Sequence, residues 1–119
     1  MTSPTPDTIR DAILKALDDG QAEGIATIPV QKQTPMADYI IIASGNSGRQ
    51  LSALANRIGQ ALKEIGAPIL RIEGAQQGDW VLVDARDVIV HLFRPEVRDF
   101  YRLENVWTAE TKKKTESKE

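Results

Sequence analysis

The spacing of apolar positions changes along the chain, and each change marks the boundary of a predicted helix or strand. Apolar residues recur every three or four positions over residues 6–19 and 47–65, which predicts two amphipathic helices. Ser47 and Gln50 have the capping-box spacing of a helix start. Gly20 and Gly66 are predicted to end the two helices, because glycine is favoured just beyond a helix C-terminus.

Shorter apolar runs predict five strands. Residues 38–43 (DYIIIA) are strongly apolar, a pattern typical of a strand buried on both faces. Residues 25–30 contain Pro29, which cannot donate a ladder hydrogen bond, so this strand is predicted to lie at a sheet edge or to carry a bulge. The other strands are predicted over residues 69–73, 80–84 and 88–93. The order strand, helix, strand over residues 38–73 predicts a right-handed parallel crossover, and an α/β fold with a mixed sheet of about five strands and flanking helices follows.

The last two strands are predicted to form an antiparallel hairpin, with Asp84 and Asp87 flanking the turn, so that Val83 pairs with Val88 and Trp80 with His91. Side chains alternate across a sheet, which gives the hairpin two unlike faces. The aliphatic face, predicted to be core, carries Val81, Val83, Val88, Val90 and Leu92. The mixed face carries Trp80, Leu82, Ile89 and His91, with Asp84 and Asp87 at the turn end.

Two interpretations of the mixed face stay open. In the first, helices cover this face too, and Trp80 is a core residue. In the second, Trp80 is an exposed anchor with an acidic rim, an arrangement that suits a basic protein partner because binding hot spots favour tryptophan.

The domain boundaries follow from composition and from the ends of the periodic segments. Residues 1–5 are polar and contain proline, and they are predicted to be flexible. Residues 6–107 are predicted to form a single domain, in which Pro95 opens a last short helix that leads to Trp107. Residues 108–119 are predicted to be a disordered tail.

Composition narrows the function classes. The chain has a net charge of −2, and its last twelve residues carry about +1, which leaves about −3 on residues 1–107. Binding of nucleic acid usually needs a basic face, so rRNA contact is predicted to be peripheral at most. The chain has no cysteine, no apolar run long enough to span a membrane and no basic-then-apolar leader pattern. We therefore expect a cytoplasmic protein without membrane contact.

No catalytic constellation is recognisable in the sequence. His91 is the single histidine, and without cysteine it cannot complete a common zinc set. Residues 44–48 (SGNSG) lie between a strand and a helix start, where a phosphate could bind, but neither G-x-G-x-x-G nor a P-loop is present, and a turn plus a helix cap explains them. No D-x-D pair is available to hold Mg²⁺. The chain is predicted not to be an enzyme and to hold no cofactor or metal.

The sequence blocks, taken in order, resemble one family. ADYIIIASGNSGRQ (37–50), RIEG (71–74), DWVLVDARDVIVHLF (79–93), RDFY (98–101) and LENVW (103–107) match the pattern of the ribosomal silencing factor family, also called the Iojap-related family. The resemblance spans about residues 7–107, and the order and spacing of the blocks are more specific than any block alone. Pro29 departs from it, because the family usually has an aspartate in the first strand.

The resemblance implies a function that the patterns alone do not reach. Members bind the large ribosomal subunit through its fourteenth protein, a basic component, and block joining of the small subunit, which represses translation; late assembly of the large subunit could also be affected. Members commonly form homodimers, and their fold resembles nucleotidyltransferases without the catalytic acids. The residues expected to bind the partner are Glu73, Trp80, Leu82, Asp84, Asp87, Ile89, His91, Arg98 and Tyr101. The alternatives are a nucleotide-handling enzyme of the nucleotidyltransferase class and a structural homodimer that uses the Trp80 face as its own interface.

Overall fold

Two amphipathic helices form where the apolar spacing predicts them. The computed structural model describes residues 4–74 and 79–95. Helix α1 spans Pro6–Asp19 and begins with the Thr5 hydroxyl accepting the N–H of Thr8. Helix α2 spans Gly48–Glu64, and the Ser47 hydroxyl accepts the N–H of Gln50 at 3.1 Å, which confirms the predicted cap. Neither helix is long and apolar enough to cross a membrane in the part of the chain that is described.

The described strands form one five-stranded sheet, which confirms the predicted fold class. They are β1 Glu23–Pro29, β2 Tyr39–Ser44, β3 Arg71–Glu73, β4 Trp80–Asp84 and β5 Val88–Phe93. Their order in the sheet is β1-β2-β5-β4-β3. The pair β2–β5 is parallel, and the other three pairs are antiparallel. Strand β3 therefore runs parallel to β2, as the predicted crossover requires, but β5 and β4 lie between them.

The first strand behaves as its proline predicts. Strand β1 pairs only with β2 among the described strands, so it lies at a sheet edge, where a missing donor costs little. Its register shifts between Glu23 and Ala26, which is the irregularity expected of a bulged edge strand. Pro29 opposes Tyr39 at the end of the ladder.

Both helices pack on one face of the sheet, the helix face. The main core joins the apolar stripes of α1 and α2 to the inward residues of β2, β4 and β5. All five residues of the predicted aliphatic face are fully buried, which confirms that prediction: Val81, Val83, Val88, Val90 and Leu92. The opposite face, here called the open face, carries a second and smaller buried cluster of Val30, Ala37, Ile40, Ile42 and Phe93.

The predicted register of the hairpin is wrong by two residues. Trp80 pairs with Phe93, not with His91, and Val83 pairs with Val90, not with Val88. The Ala85 N–H donates to the Val88 carbonyl at 3.0 Å, so the turn lies at residues 86–87, one position later than predicted.

Arg86 makes this turn possible by adopting a positive φ of 72°, which an arginine rarely does. The Asp84 carboxylate accepts the Arg86 N–H, and the Asp87 carbonyl accepts the N–H groups of Asp38 and Tyr39. These bonds hold the turn against β2. Because the register error is an even number of residues, both faces of the hairpin keep their predicted members.

Candidate protein-binding surface

Trp80 stands at the start of β4 on the open face, and 43% of its surface is in contact with solvent. Leu82 and His91, which pair directly across β4 and β5, are partly buried beside it. Both described helices lie on the other side of the sheet. Of the two interpretations left open by the sequence, the exposed tryptophan is therefore the one that agrees with residues 4–74 and 79–95. We call Glu73, Gly74, Trp80, Leu82 and His91 the Trp80 surface.

Three aromatic rings meet at the base of the Trp80 surface. The rings of Trp80 and Phe93 are 5.2 Å apart between centroids, and those of Trp80 and His91 are 5.9 Å apart. The His91 and Phe93 rings stack at 5.8 Å with an angle of 12° between their planes. Phe93 is fully buried, so the exposed indole packs against a ring that is held in place by the core.

His91 holds the polar edge of the indole. The Trp80 Nε1–H donates to His91 Nδ1 at 3.2 Å, so the imidazole accepts at this nitrogen in its neutral form. Burial lowers the pKa of His91 from 6.5 to about 4, which keeps the ring neutral at physiological pH.

An open concavity of about 400 Å³ lies next to the indole and is lined by Glu73, Gly74, Trp80 and Leu82. Gly74 follows β3 with φ 85°, and a Cβ at this position would overlap the Trp80 carbonyl. Glycine is thus required here on two counts, conformation and space. Among the described lining residues, Glu73 gives an acidic wall and the other side chains are apolar, which suits a side chain with an apolar stem and a basic end.

The rim of this surface is less acidic than the sequence predicts. Arg71 Nε lies 3.1 Å from the Glu73 carboxylate, and Arg71 Nη2 lies 3.8 Å from that of Asp84. All three side chains are in contact with solvent, so these pairs are weak and can rearrange. A third ion pair, Asp79 to Arg94 at 2.8 Å, bridges the residue before β4 to the residue after β5.

The structure does not bring all the predicted site residues together. Asp87 lies at the turn end of the hairpin and lines a different concavity with Pro4, Gly66 and Pro68. Ile89 is on the open face but packs against the small buried cluster, opposite Ile40 of β2. The predictions for Arg98, Tyr101, the last helix and the tail fall outside the described residues.

The loop before α2 supports the interpretation as a turn plus a cap. The Gly45 N–H donates to the Phe93 carbonyl at 3.0 Å, and the Asn46 N–H donates to Gln50 Oε1 at 2.6 Å. With the Gln50 N–H bound to Ser47, three amides that could face a phosphate already have protein partners. Within residues 4–74 and 79–95, no group of three or more His, Asp or Glu side chains is arranged to hold a metal ion.

Two residues that contact the Trp80 surface were not found by sequence reasoning. Phe93 continues the alternation of Ile89 and His91 on the open face, and that periodicity could have revealed it. Arg71 reaches this surface only because β3 pairs with β4, which places Arg71 opposite Asp84.

Among the described residues, the fold and the Trp80 surface define a small α/β protein in which both helices pack on one sheet face and the other face is left open for contact with a macromolecule. Residues 3–119 match the family model described as ribosomal silencing factor during starvation, and the chain belongs to this family. This confirms the resemblance found in the sequence blocks. Family membership supports a ribosome-associated regulatory role.

Individual relatives agree with this assignment. The ribosomal silencing factor RsfS of Zymomonas mobilis is 47% identical over 106 residues, which cover 89% of this chain and 80% of that protein. A mouse protein named mitochondrial assembly of ribosomal large subunit protein 1 is 34% identical over 101 residues, covering 82% of this chain and 44% of that protein.

Solved structures show the same fold. A crystal structure of a Chromobacterium violaceum protein superposes with a TM-score of 0.84 at 40% identity and covers 87% of each chain. A Bacillus halodurans structure gives a TM-score of 0.77 at 34% identity, covering 85% of this chain and 94% of that one.

Proposed function

We propose that this protein binds the large ribosomal subunit through its fourteenth protein and sterically prevents the small subunit from joining. The observation that carries the proposal is the exposed Trp80, which stands on an open sheet face beside a concavity with one acidic wall. The protein acts by occupancy in the cytoplasm and catalyses no reaction. Late assembly of the large subunit is a second process in which the same contact would act, and the name of the mouse relative supports it.

The Trp80 surface has the composition expected for binding a basic protein. Trp80 and Leu82 offer apolar area, and a large aromatic ring on a fixed base binds with little loss of side-chain freedom. Glu73 and Asp84 stand beside them and can exchange Arg71 for a basic side chain of the partner. The net charge of about −3 on residues 1–107 favours approach to a basic protein and makes rRNA contact peripheral.

Co-sedimentation with separated ribosomal subunits tests this proposal. Trp80→Ala is expected to weaken binding to the large subunit by at least about 30-fold, the equivalent of about 2 kcal/mol for a central anchor. Ile72→Ala is the matched control. Ile72 lies on β3, which pairs with the strand of Trp80, and it is 41% exposed, but its side chain is on the helix face of the sheet. Ile72→Ala should bind like the wild type. Normal co-sedimentation of Trp80→Ala would contradict the proposal.

Binding to the isolated fourteenth protein separates the named partner from the rest of the subunit. We expect that protein alone to bind the wild type and to lose affinity with Trp80→Ala in the same proportion as the large subunit does. A subunit-joining assay should then show inhibition by the wild type and by Ile72→Ala, but not by Trp80→Ala. Inhibition without binding to the isolated protein would point to another component of the subunit.

We also propose that the protein forms a homodimer. Analytical ultracentrifugation of the wild type and of Trp80→Ala tests whether the Trp80 surface is the dimer contact. A Trp80→Ala protein that still dimerises but no longer binds the large subunit supports separate surfaces. Loss of dimerisation with intact ribosome binding would instead make the Trp80 surface the contact between copies.

A further inference from the structure

The Trp80 surface contains one polar contact that a simple apolar anchor would not need. An indole N–H at a partly exposed position can donate to water, yet the Trp80 Nε1–H donates to His91 Nδ1 at 3.2 Å. The imidazole is itself fixed, because it stacks on the fully buried Phe93 ring at 5.8 Å. The indole is therefore held at its polar edge by His91 and on its face by Phe93.

We propose that His91 is a positioning residue that keeps the Trp80 indole in the one orientation that binds the partner, and that it does so only as the neutral Nε2–H tautomer. His91 need not touch the partner itself. Its role is to fix the rotamer of the exposed indole in the free protein, so that less side-chain entropy is lost on binding. The binding part of this inference rests on the proposed function, while the contact between the two rings does not.

The surroundings of His91 favour the neutral ring. Leu82 lies directly opposite on β4 and Ile42 directly opposite on β2. Among the described residues, the nearest ionisable group on the open face of either neighbouring strand is Asp84, which is diagonal to His91 and faces Arg71. Burial, and not a neighbouring charge, lowers the pKa of His91. Protonation would turn Nδ1 into a donor and abolish the bond from the indole.

The first test needs only the free protein. The chain has a single histidine, so nitrogen-15 NMR at pH 7 reports its protonation state and tautomer without ambiguity. We expect a neutral ring protonated at Nε2. The Trp80 indole N–H, identified by its loss in Trp80→Phe, should exchange with water about tenfold faster in His91→Leu than in the wild type, because the acceptor is gone. A ring protonated at Nδ1, or equal exchange in His91→Leu, would overturn the inference.

The second test compares two replacements of His91 in large-subunit binding. His91→Asn retains an acceptor near the position of Nδ1, whereas His91→Leu keeps a side chain of similar bulk without one. We expect His91→Leu to weaken binding about tenfold and His91→Asn to restore most of that loss. If His91 only filled space, the apolar His91→Leu would bind better than His91→Asn. That ranking would contradict a positioning role for His91.

A double-mutant cycle removes the remaining ambiguity. Trp80→Phe keeps a ring but has no N–H, so in that background His91→Leu and His91→Asn should bind equally. If His91→Leu costs the same affinity in both backgrounds, His91 does not act through the indole and the inference fails. If Trp80→Ala itself binds normally, the proposed function fails, and the NMR test alone then decides whether His91 fixes the indole.

Discussion

Replacing Phe93 by alanine is expected to destabilise the whole domain, although Phe93 lies on the sheet face that we propose binds a partner. Phe93 has no exposed surface and belongs to the small buried cluster with Ile40 and Ile42. It also supports the rings of Trp80 and His91 at 5.2 and 5.8 Å. Truncating such a ring removes its burial and leaves a cavity, which together cost about 3–5 kcal/mol.

That loss is a large part of the 5–15 kcal/mol by which a small domain is typically stable. Urea unfolding followed by far-UV circular dichroism measures it, provided that the slope with denaturant is unchanged. Phe93→Leu is the matched control and should cost less than about 2 kcal/mol, because it leaves most of the site filled.

Trp80→Ala provides the contrast, because Trp80 contacts the Phe93 ring but lies outside the small buried cluster. Because 43% of the Trp80 surface is already in contact with water, its truncation should cost only about 1–2 kcal/mol of stability. The reasoning would be refuted if Phe93→Ala lost less than about 1 kcal/mol, or if Trp80→Ala were the more damaging change. Either result would mean that the cluster on the open face is not a core.

Three further predictions concern stability. Gly74→Ala should lower the free energy of unfolding in urea by more than about 2 kcal/mol, and Gly66→Ala by only about 1 kcal/mol. Both glycines have a positive φ, but of the two only Gly74 faces a carbonyl that a Cβ would overlap. Equal losses would contradict this account. Ser47→Ala should cost about 1 kcal/mol by removing the cap of α2, whereas Ser47→Asp should restore it. The folded pKa of His91, about 4, lies below its ordinary 6.5, so the unfolded chain takes up this proton first and stability falls as pH drops from 6.5 toward 4. This contribution is about 2 kcal/mol between pH 8 and pH 5, and the pH dependence of urea midpoints should be correspondingly flatter in His91→Asn.

The helices and the faces of the strands could be predicted because each depends on local periodicity. Helix α1 begins and ends at the predicted residues, since Pro6 and Gly20 mark its two ends. The alternation in β4 and β5 assigned Trp80 and Val81 to opposite faces, as the structure has them. Exposure of Trp80 could not be decided from the sequence, because it depends on which sheet face the helices cover.

The register of the hairpin could not be predicted from the same alternation. A shift by two residues leaves every side chain on its predicted face, so the hydrophobic pattern is equally satisfied by both registers. The choice is made by Arg86, whose positive φ is supported by the Asp84 carboxylate. For the same reason Phe93 was missed as the residue opposite Trp80.

The charges at the rim show a second limit of sequence reasoning. Glu73 and Asp84 are predicted to bind the partner, and the sequence does not reveal that Arg71 pairs with both, because the neighbour of its strand in the sheet is not known from the sequence. Pairing of β3 with β4 places Arg71 between the two carboxylates, at 3.1 and 3.8 Å. Charge complementarity at a surface thus depends on sheet order, which local patterns do not fix.

The open face is graded from buried to exposed across the sheet, and this grading explains how one face can serve both stability and binding. On β2 and β5, Ile42 and Phe93 are fully buried with the small cluster. On β4, Trp80 is half-exposed, and on β3, Glu73 is exposed. A partner that covers β4 and β3 would bury the surface that the described residues leave exposed on these two strands. Substitutions should therefore change mainly stability at Phe93, both properties at Trp80 and mainly binding at Glu73.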